Sequence, residues 1–107
     1  MKARIIGTGS YLPEKILTNF DLEKMVDTTD EWIVSRSGIR ERRIAAPTET
    51  TSTLGNIAAK KALKNAGVKP KDIDIIIVSS LAGDMFIPST ACRIQKLIGA
   101  KNSFAFD

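Results

Sequence analysis

Trp32 and Arg36 stand four residues apart in Asp30-Glu31-Trp32-Ile33-Val34-Ser35-Arg36-Ser37, so on a helix an indole face and a guanidinium project from one side. That pair suits a stacked nucleotide base with a phosphate beside it. From spacing alone, core packing of the indole next to a solvated arginine is the alternative. Thr28 and Ser37 bracket the pair and offer hydroxyls, either to such a ligand or to the helix ends as caps. Cys92 is the single thiol. It falls inside an expected helix, away from the N-terminus whose dipole favours a thiolate, and reads as a small buried cysteine rather than a nucleophile. The sequence has no histidine, which removes Cys/His metal sites and Ser-His or Cys-His dyads from this chain. Gly7-Thr8-Gly9 has Leu12 where a dinucleotide fingerprint has its third glycine, and no helix follows at once, so a Rossmann site is not expected.

Lysine and arginine number 16 against 12 acidic residues, a net charge of +4 that favours anionic partners. These include nucleic acid, a phosphate-rich cofactor or an acidic carrier protein. The cluster Arg36, Arg40, Arg42 and Arg43 reads as a solvated face. With neither an aromatic-rich strand face nor a recognition-helix pattern, nucleic acid is not the expected partner. The longest strong apolar run, Ile75 to Val78, is far short of a membrane span, and the first residues lack the apolar core of a secretory signal. A cytoplasmic protein is the expectation.

The elements that must position these residues follow from periodicity and punctuation. A chain of 107 residues, 43% apolar and 26% charged, is one domain at most and buries a core without disulfides or metals. Lys2 to Thr8 reads as a first core strand broken by Gly7-Thr8-Gly9-Ser10 and Pro13. Thr18-Asn19 caps a short helix over Asp21 to Val26, and Thr29 or Asp30 caps a second over Glu31 to Ser37 with Gly38 as its stop. Ile39 to Ala45 is too polar for a central strand and reads as an exposed ribbon or loop. A helix from about Ser52 to Ala66 gathers Gly55, Ala58, Ala59, Ala62, Leu63 and Ala66 on one face, suited to close packing on a sheet. Asp74 to Ser80 reads as a parallel strand covered on both faces. Pro88 and Ser89 open a helix to Ile98 with Ala91, Ile94 and Ile98 on one stripe, and Ser103 to Asp107 forms a last strand. The order, strand, irregular insert, helix, strand, helix, strand, predicts an α/β fold with a mainly parallel sheet and right-handed crossovers. Since the chain stops where another helix is due, residues 1–107 are expected to be an incomplete domain.

The run from Asp30 to Arg42, with its Trp-Ile-Val-Ser-Arg-Ser-Gly-Ile core, resembles the coenzyme-binding segment of the β-ketoacyl-acyl-carrier-protein synthase III family. Ile5-Ile6-Gly7-Thr8-Gly9-Ser10-Tyr11-Leu12-Pro13 is similar to that family's first strand. Pro88 to Gln95 is similar to the helix before its catalytic region, and Phe104-Ala105-Phe106-Asp107 to the strand leading into its nucleophile. The resemblance covers essentially the whole chain and implies a thiolase-like fold, of which this is the N-terminal part of the first βαβαβ half.

The resemblance also implies an acyltransferase of fatty-acid biosynthesis. Acetyl-coenzyme A acylates a cysteine, and the acyl group then condenses with malonyl-acyl-carrier protein, releasing carbon dioxide. That cysteine, a histidine and an asparagine would lie beyond residue 107, so no catalytic residue is expected in this chain. No prosthetic group or metal is implied, and acyl-coenzyme A enters as substrate. Trp32 would stack on the adenine, Thr28 would hydrogen-bond near that ring, and Arg36 with Ser37 would meet the phosphates, with Arg40 adding positive potential. Asp84 to Pro88 matches a dimer-contact region in which Ile87, or Phe86 in its place, helps bound the partner's acyl pocket. A homodimer without membrane or nucleic-acid partners is therefore expected, and an aliphatic Ile87 leaves room for a longer or branched primer. The rival reading is a non-catalytic α/β module, or split subunit, that binds coenzyme A or another nucleotide.

Overall fold

The computed structural model describes residues 2–107, which form two compact units. The first comprises residues 2–11 and 49–107, and the second residues 12–48.

In the second unit, β1 (Lys15–Thr18) pairs antiparallel with β2 (Glu41–Ile44), Leu17 opposite Arg42 and Thr18 opposite Glu41. The polar segment is thus a ribbon, and its partner is a strand that the sequence hid: Lys-Ile-Leu-Thr is too short to show alternation. Between the strands lie α1 (Asn19–Glu23) and α2 (Asp30–Ser37). Thr18 caps α1, its hydroxyl accepting from the Asp21 N–H while the Asp21 carboxylate accepts from the Thr18 N–H, a reciprocal capping box. The helix stops at Glu23, short of the expected Val26. Thr29 caps α2, and Gly38 ends it at φ 73, a left-handed conformation that side chains resist.

In the first unit, α3 (Thr51–Ala66) packs on α4 (Thr90–Ile98), and β3 (Ile75–Ile77) pairs in parallel with β4 (Phe104–Phe106), Ile75 opposite Phe104. A 3-10 turn at Pro70–Asp72 leads into β3. The core is Ala91, Ile94, Ile98 and Ala100, with Ala59, Leu63, Ile73, Ile76 and Val78 packed around Ile94, Ile98 and Ala100. The predicted small-residue face of α3 is real, but it meets a helix and a loop rather than a sheet. Gly55 lies under the Ile94 side chain, and a Cβ there would come within 2.6 Å of Ile94 Cδ1. Gly7 and Gly9 lie against the backbone of α3 at Ala62 and Ala66, and at Ala58 and Ala62 respectively.

Two expectations are corrected. Lys2 to Thr8 forms no strand: no segment among the described residues supplies a ladder, and Ile5 is 86% exposed. The strand expected over Asp74 to Ser80 shrinks to three residues covered on one face only. Ile76 and Ala105 turn toward the core side, while Ile75, Ile77, Phe104 and Phe106 stay exposed because no described element covers them.

Both helices of this unit start on a carboxylate supplied from elsewhere. Asp84 accepts from the Ser52 N–H at 2.8 Å, the Thr50 hydroxyl at 2.9 Å and the Ser52 hydroxyl, and pairs with Arg93 Nε at 2.9 Å. Asp107 accepts from the Thr90 and Ala91 N–H groups at 2.8 and 2.6 Å. A carboxylate at a helix N-terminus satisfies orphan donors and complements the dipole.

Candidate functional site

The residues expected to bind a ligand gather around α2. Thr29 Oγ1 accepts from the Trp32 N–H at 3.1 Å, which sets the first turn and turns the indole outward. Trp32 is 58% exposed, and the Arg36 guanidinium lies 5.7 Å from its ring centroid. The four-residue spacing brings the two side chains to one side of α2, in a cation–π contact that the sequence reading did not include. Among the described residues the indole packs into no core, and α2 has no buried residue. Asp27, Thr28, Thr29 and Trp32 line an open cleft of about 260 Å³. Arg36 does not line this cleft and meets it only through its contact with the indole.

Ser37 is already engaged. Its hydroxyl donates to the Ile33 carbonyl at 2.7 Å and accepts from the Ile39 N–H at 3.1 Å, so it braces the exit of α2. The basic cluster does not act as one solvated face. Arg42 donates from Nη1 to the Leu17 carbonyl at 3.2 Å and from Nη2 to Asn19 Oδ1 at 2.8 Å, and Arg43 Nη1 donates to the Pro13 carbonyl at 2.9 Å. The sequence reading gave Asn19 only a share in the cap with Thr18, whereas it is the first residue of α1 and is buried.

Cys92 is corrected in position. It is the third residue of α4, its N–H donates to the capping Ser89 Oγ at 3.3 Å, and Sγ contacts the Ala105 carbonyl at 3.6 Å. The error came from starting the helix at Pro88 and Ser89, whereas Ser89 is the cap and Thr90 the first helical residue. Partial burial against β4 and the absence of a histidine keep the packing role. Phe86 and Ile87, in the segment between β3 and α4, project to solvent at 103% and 86% exposure. Among the described residues no cluster of His, Cys, Asp or Glu is placed to hold a metal ion, and no helix is long and apolar enough to cross a membrane.

No protein-family model matches the chain. It is 63% identical over 105 residues to a β-ketoacyl-[acyl-carrier-protein] synthase III of Caldanaerobacter subterraneus, covering 98% of this chain and 32% of that protein. It superposes on the crystal structure of the 3-oxoacyl-[acyl-carrier-protein] synthase III of Aquifex aeolicus with a TM-score of 0.91 at 53% identity, covering 96% of this chain and 33% of the other. A priming β-ketosynthase from the R1128 polyketide pathway gives a TM-score of 0.91 at 40% identity, with 97% of this chain and 31% of the other covered. The chain spans about a third of the length of the relatives it matches.

Proposed function

We propose that this chain, which in sequence and thiolase-like fold corresponds to the N-terminal part of β-ketoacyl-acyl-carrier-protein synthase III, supplies the coenzyme A-binding wall of such an enzyme. The observation that carries the reading is Trp32, a large aromatic side chain that a capped helix holds exposed at an open cleft, with the Arg36 guanidinium against its ring. An exposed indole loses apolar contact that a stacked adenine would restore, and a base–aromatic stack is worth about 1 to 3 kcal/mol. Thr28 presents a hydroxyl to the edge of the base, and the guanidinium of Arg36 meets phosphate oxygens as a planar donor. With the Ser37 hydroxyl committed to Ile33 and Ile39, its part is to hold α2, and the phosphate contact falls to Arg36.

In this reading the intact protein transfers an acyl group from acetyl-coenzyme A, or another short acyl-coenzyme A, to a cysteine beyond residue 107. It then condenses that group with malonyl-acyl-carrier protein to start fatty-acid synthesis in the cytoplasm. Residues 1–107 are then an incomplete part of a thiolase-like domain. The residues of this chain bind and orient the nucleotide end of the substrate and take no part in bond making. Phe86 and Ile87 cover the partner's acyl pocket in a homodimer, which accounts for two large apolar side chains left fully in solvent.

The test is titration calorimetry of coenzyme A on the intact protein. Trp32→Ala is expected to weaken binding by about 1 to 3 kcal/mol. An unchanged dissociation constant would sink the assignment.

A further inference from the structure

We infer that Asn19 is a positioning residue for this coenzyme A site, acting through Asp30 at the first turn of α2; the inference rests on the function proposed above. Asn19 is fully buried at 0% exposure, yet it is a polar residue on a short, mostly exposed helix. A buried amide of this kind is retained only where its hydrogen bonds are made, and both donors and the oxygen of the Asn19 side chain are engaged. Its Nδ2 donates to Asp30 Oδ1 and to the Ile39 carbonyl, each at 2.8 Å, and its Oδ1 accepts from Arg42 Nη2 at 2.8 Å. Its backbone N–H donates to the Arg40 carbonyl at 3.1 Å.

The two Nδ2 bonds reach both ends of one helix. Asp30 is the first residue of α2, and Ile39 follows its glycine stop. Glu23 stands four residues after Asn19 and presents from the same side of α1, where Oε1 accepts from the Asp30 N–H at 2.7 Å. Asp30 is thereby held through its side chain by Asn19 and through its backbone by Glu23. Two residues on, Trp32 occupies the third position of the same turn, and the segment between Glu23 and Asp30 carries Asp27, Thr28 and Thr29 of the cleft. Arg42, anchored on the Leu17 carbonyl of β1, fixes the Asn19 amide in turn. The ribbon, Asn19 and α2 form one hydrogen-bonded chain that ends at Asp30, two residues before the indole. A loosely held α2 would still fold, but its indole and guanidinium would be presented at a variable distance from the nucleotide.

The experiment is steady-state kinetics on the intact protein. Asn19→Ala is expected to raise the KM for acyl-coenzyme A about tenfold, the scale at which misplaced binding groups act. Its kcat is expected to stay within about twofold, because only binding of the substrate is touched. A merely structural loss lowers the amount of active protein, and so kcat, without moving KM. Glu23→Ala, a change at an exposed side chain, is expected to raise the same KM by a smaller factor and decides the matter should Asn19→Ala not fold. In a Trp32→Ala background, Asn19→Ala is expected to add no further increase, since both act through the indole. An unchanged KM in Asn19→Ala, or in Glu23→Ala where the first does not fold, overturns the inference. An unchanged KM in Trp32→Ala overturns the coenzyme A reading itself, whereas a rise there with none in Asn19→Ala overturns the positioning role alone.

Discussion

Asp84 carries its charge with almost no water around it, its side chain being 4% exposed. Burial pushes the carboxyl up, but hydrogen bonds from the Ser52 side chain and backbone and the Thr50 hydroxyl, with the charge of Arg93, outweigh it and hold the group below the ordinary carboxylate range. A group whose pKa is depressed on folding stabilises the fold at pH values above its unfolded pKa, and that contribution is lost as pH falls through the folded value. Asp84→Asn keeps the shape and removes the charge. It is expected to destabilise the protein by about 3 kcal/mol at neutral pH, near the lower end for breaking a buried pair, since Arg93 is partly exposed. Urea denaturation at several pH values checks this. The gap between wild type and variant should begin to narrow as pH falls below about 4 and close only below the depressed pKa of the folded state, where the wild-type carboxylate itself is protonated.

At the scale of elements, two glycines against α3 make opposite demands. A Cβ at Gly55 meets only the flexible end of Ile94, and alanine there gains helix propensity of about 1 kcal/mol. A Cβ at Gly9 runs into the Ala58 carbonyl and the Ala62 amide, which are backbone and do not yield. Thermal melts should therefore show Gly55→Ala near neutral and Gly9→Ala lowered by about 4 to 8 °C per kcal/mol lost in a domain of this size. The sequence made the helices legible because their signals are local: Thr18 and Thr29 as caps, Gly38, Gly67 and Gly99 as stops, and a clean apolar stripe on α4. The strands were less legible. Ile75, Ile76 and Ile77 look alike in sequence, and only the placement of neighbours decides which are covered. The Trp32–Arg36 pair could be read from spacing, whereas the Asn19 brace depends on residues brought together from 11 to 23 positions away.

For the molecule as a whole, the exposed face of the β3–β4 pair is the main consequence of that placement. Ile75, Ile77, Phe104 and Phe106 form one apolar patch on a parallel pair, and parallel strands are ordinarily buried on both sides. The chain of 107 residues is expected to associate with itself as concentration rises, by sedimentation velocity. Replacing Ile77 and Phe104 together by lysine should shift it toward the monomer; a wild-type chain that stays monomeric throughout would contradict this. The carboxylates that start α3 and α4 carry a different consequence. Asp84 reaches Ser52 from 32 residues downstream, and Asp107 reaches Ala91 from 16. A chain emerging from the ribosome N-terminus first exposes the start of each helix before the carboxylate that closes its first turn has emerged. Each helix starts to leave the exit tunnel with its first turn open, and a carboxylate that follows it out closes that turn.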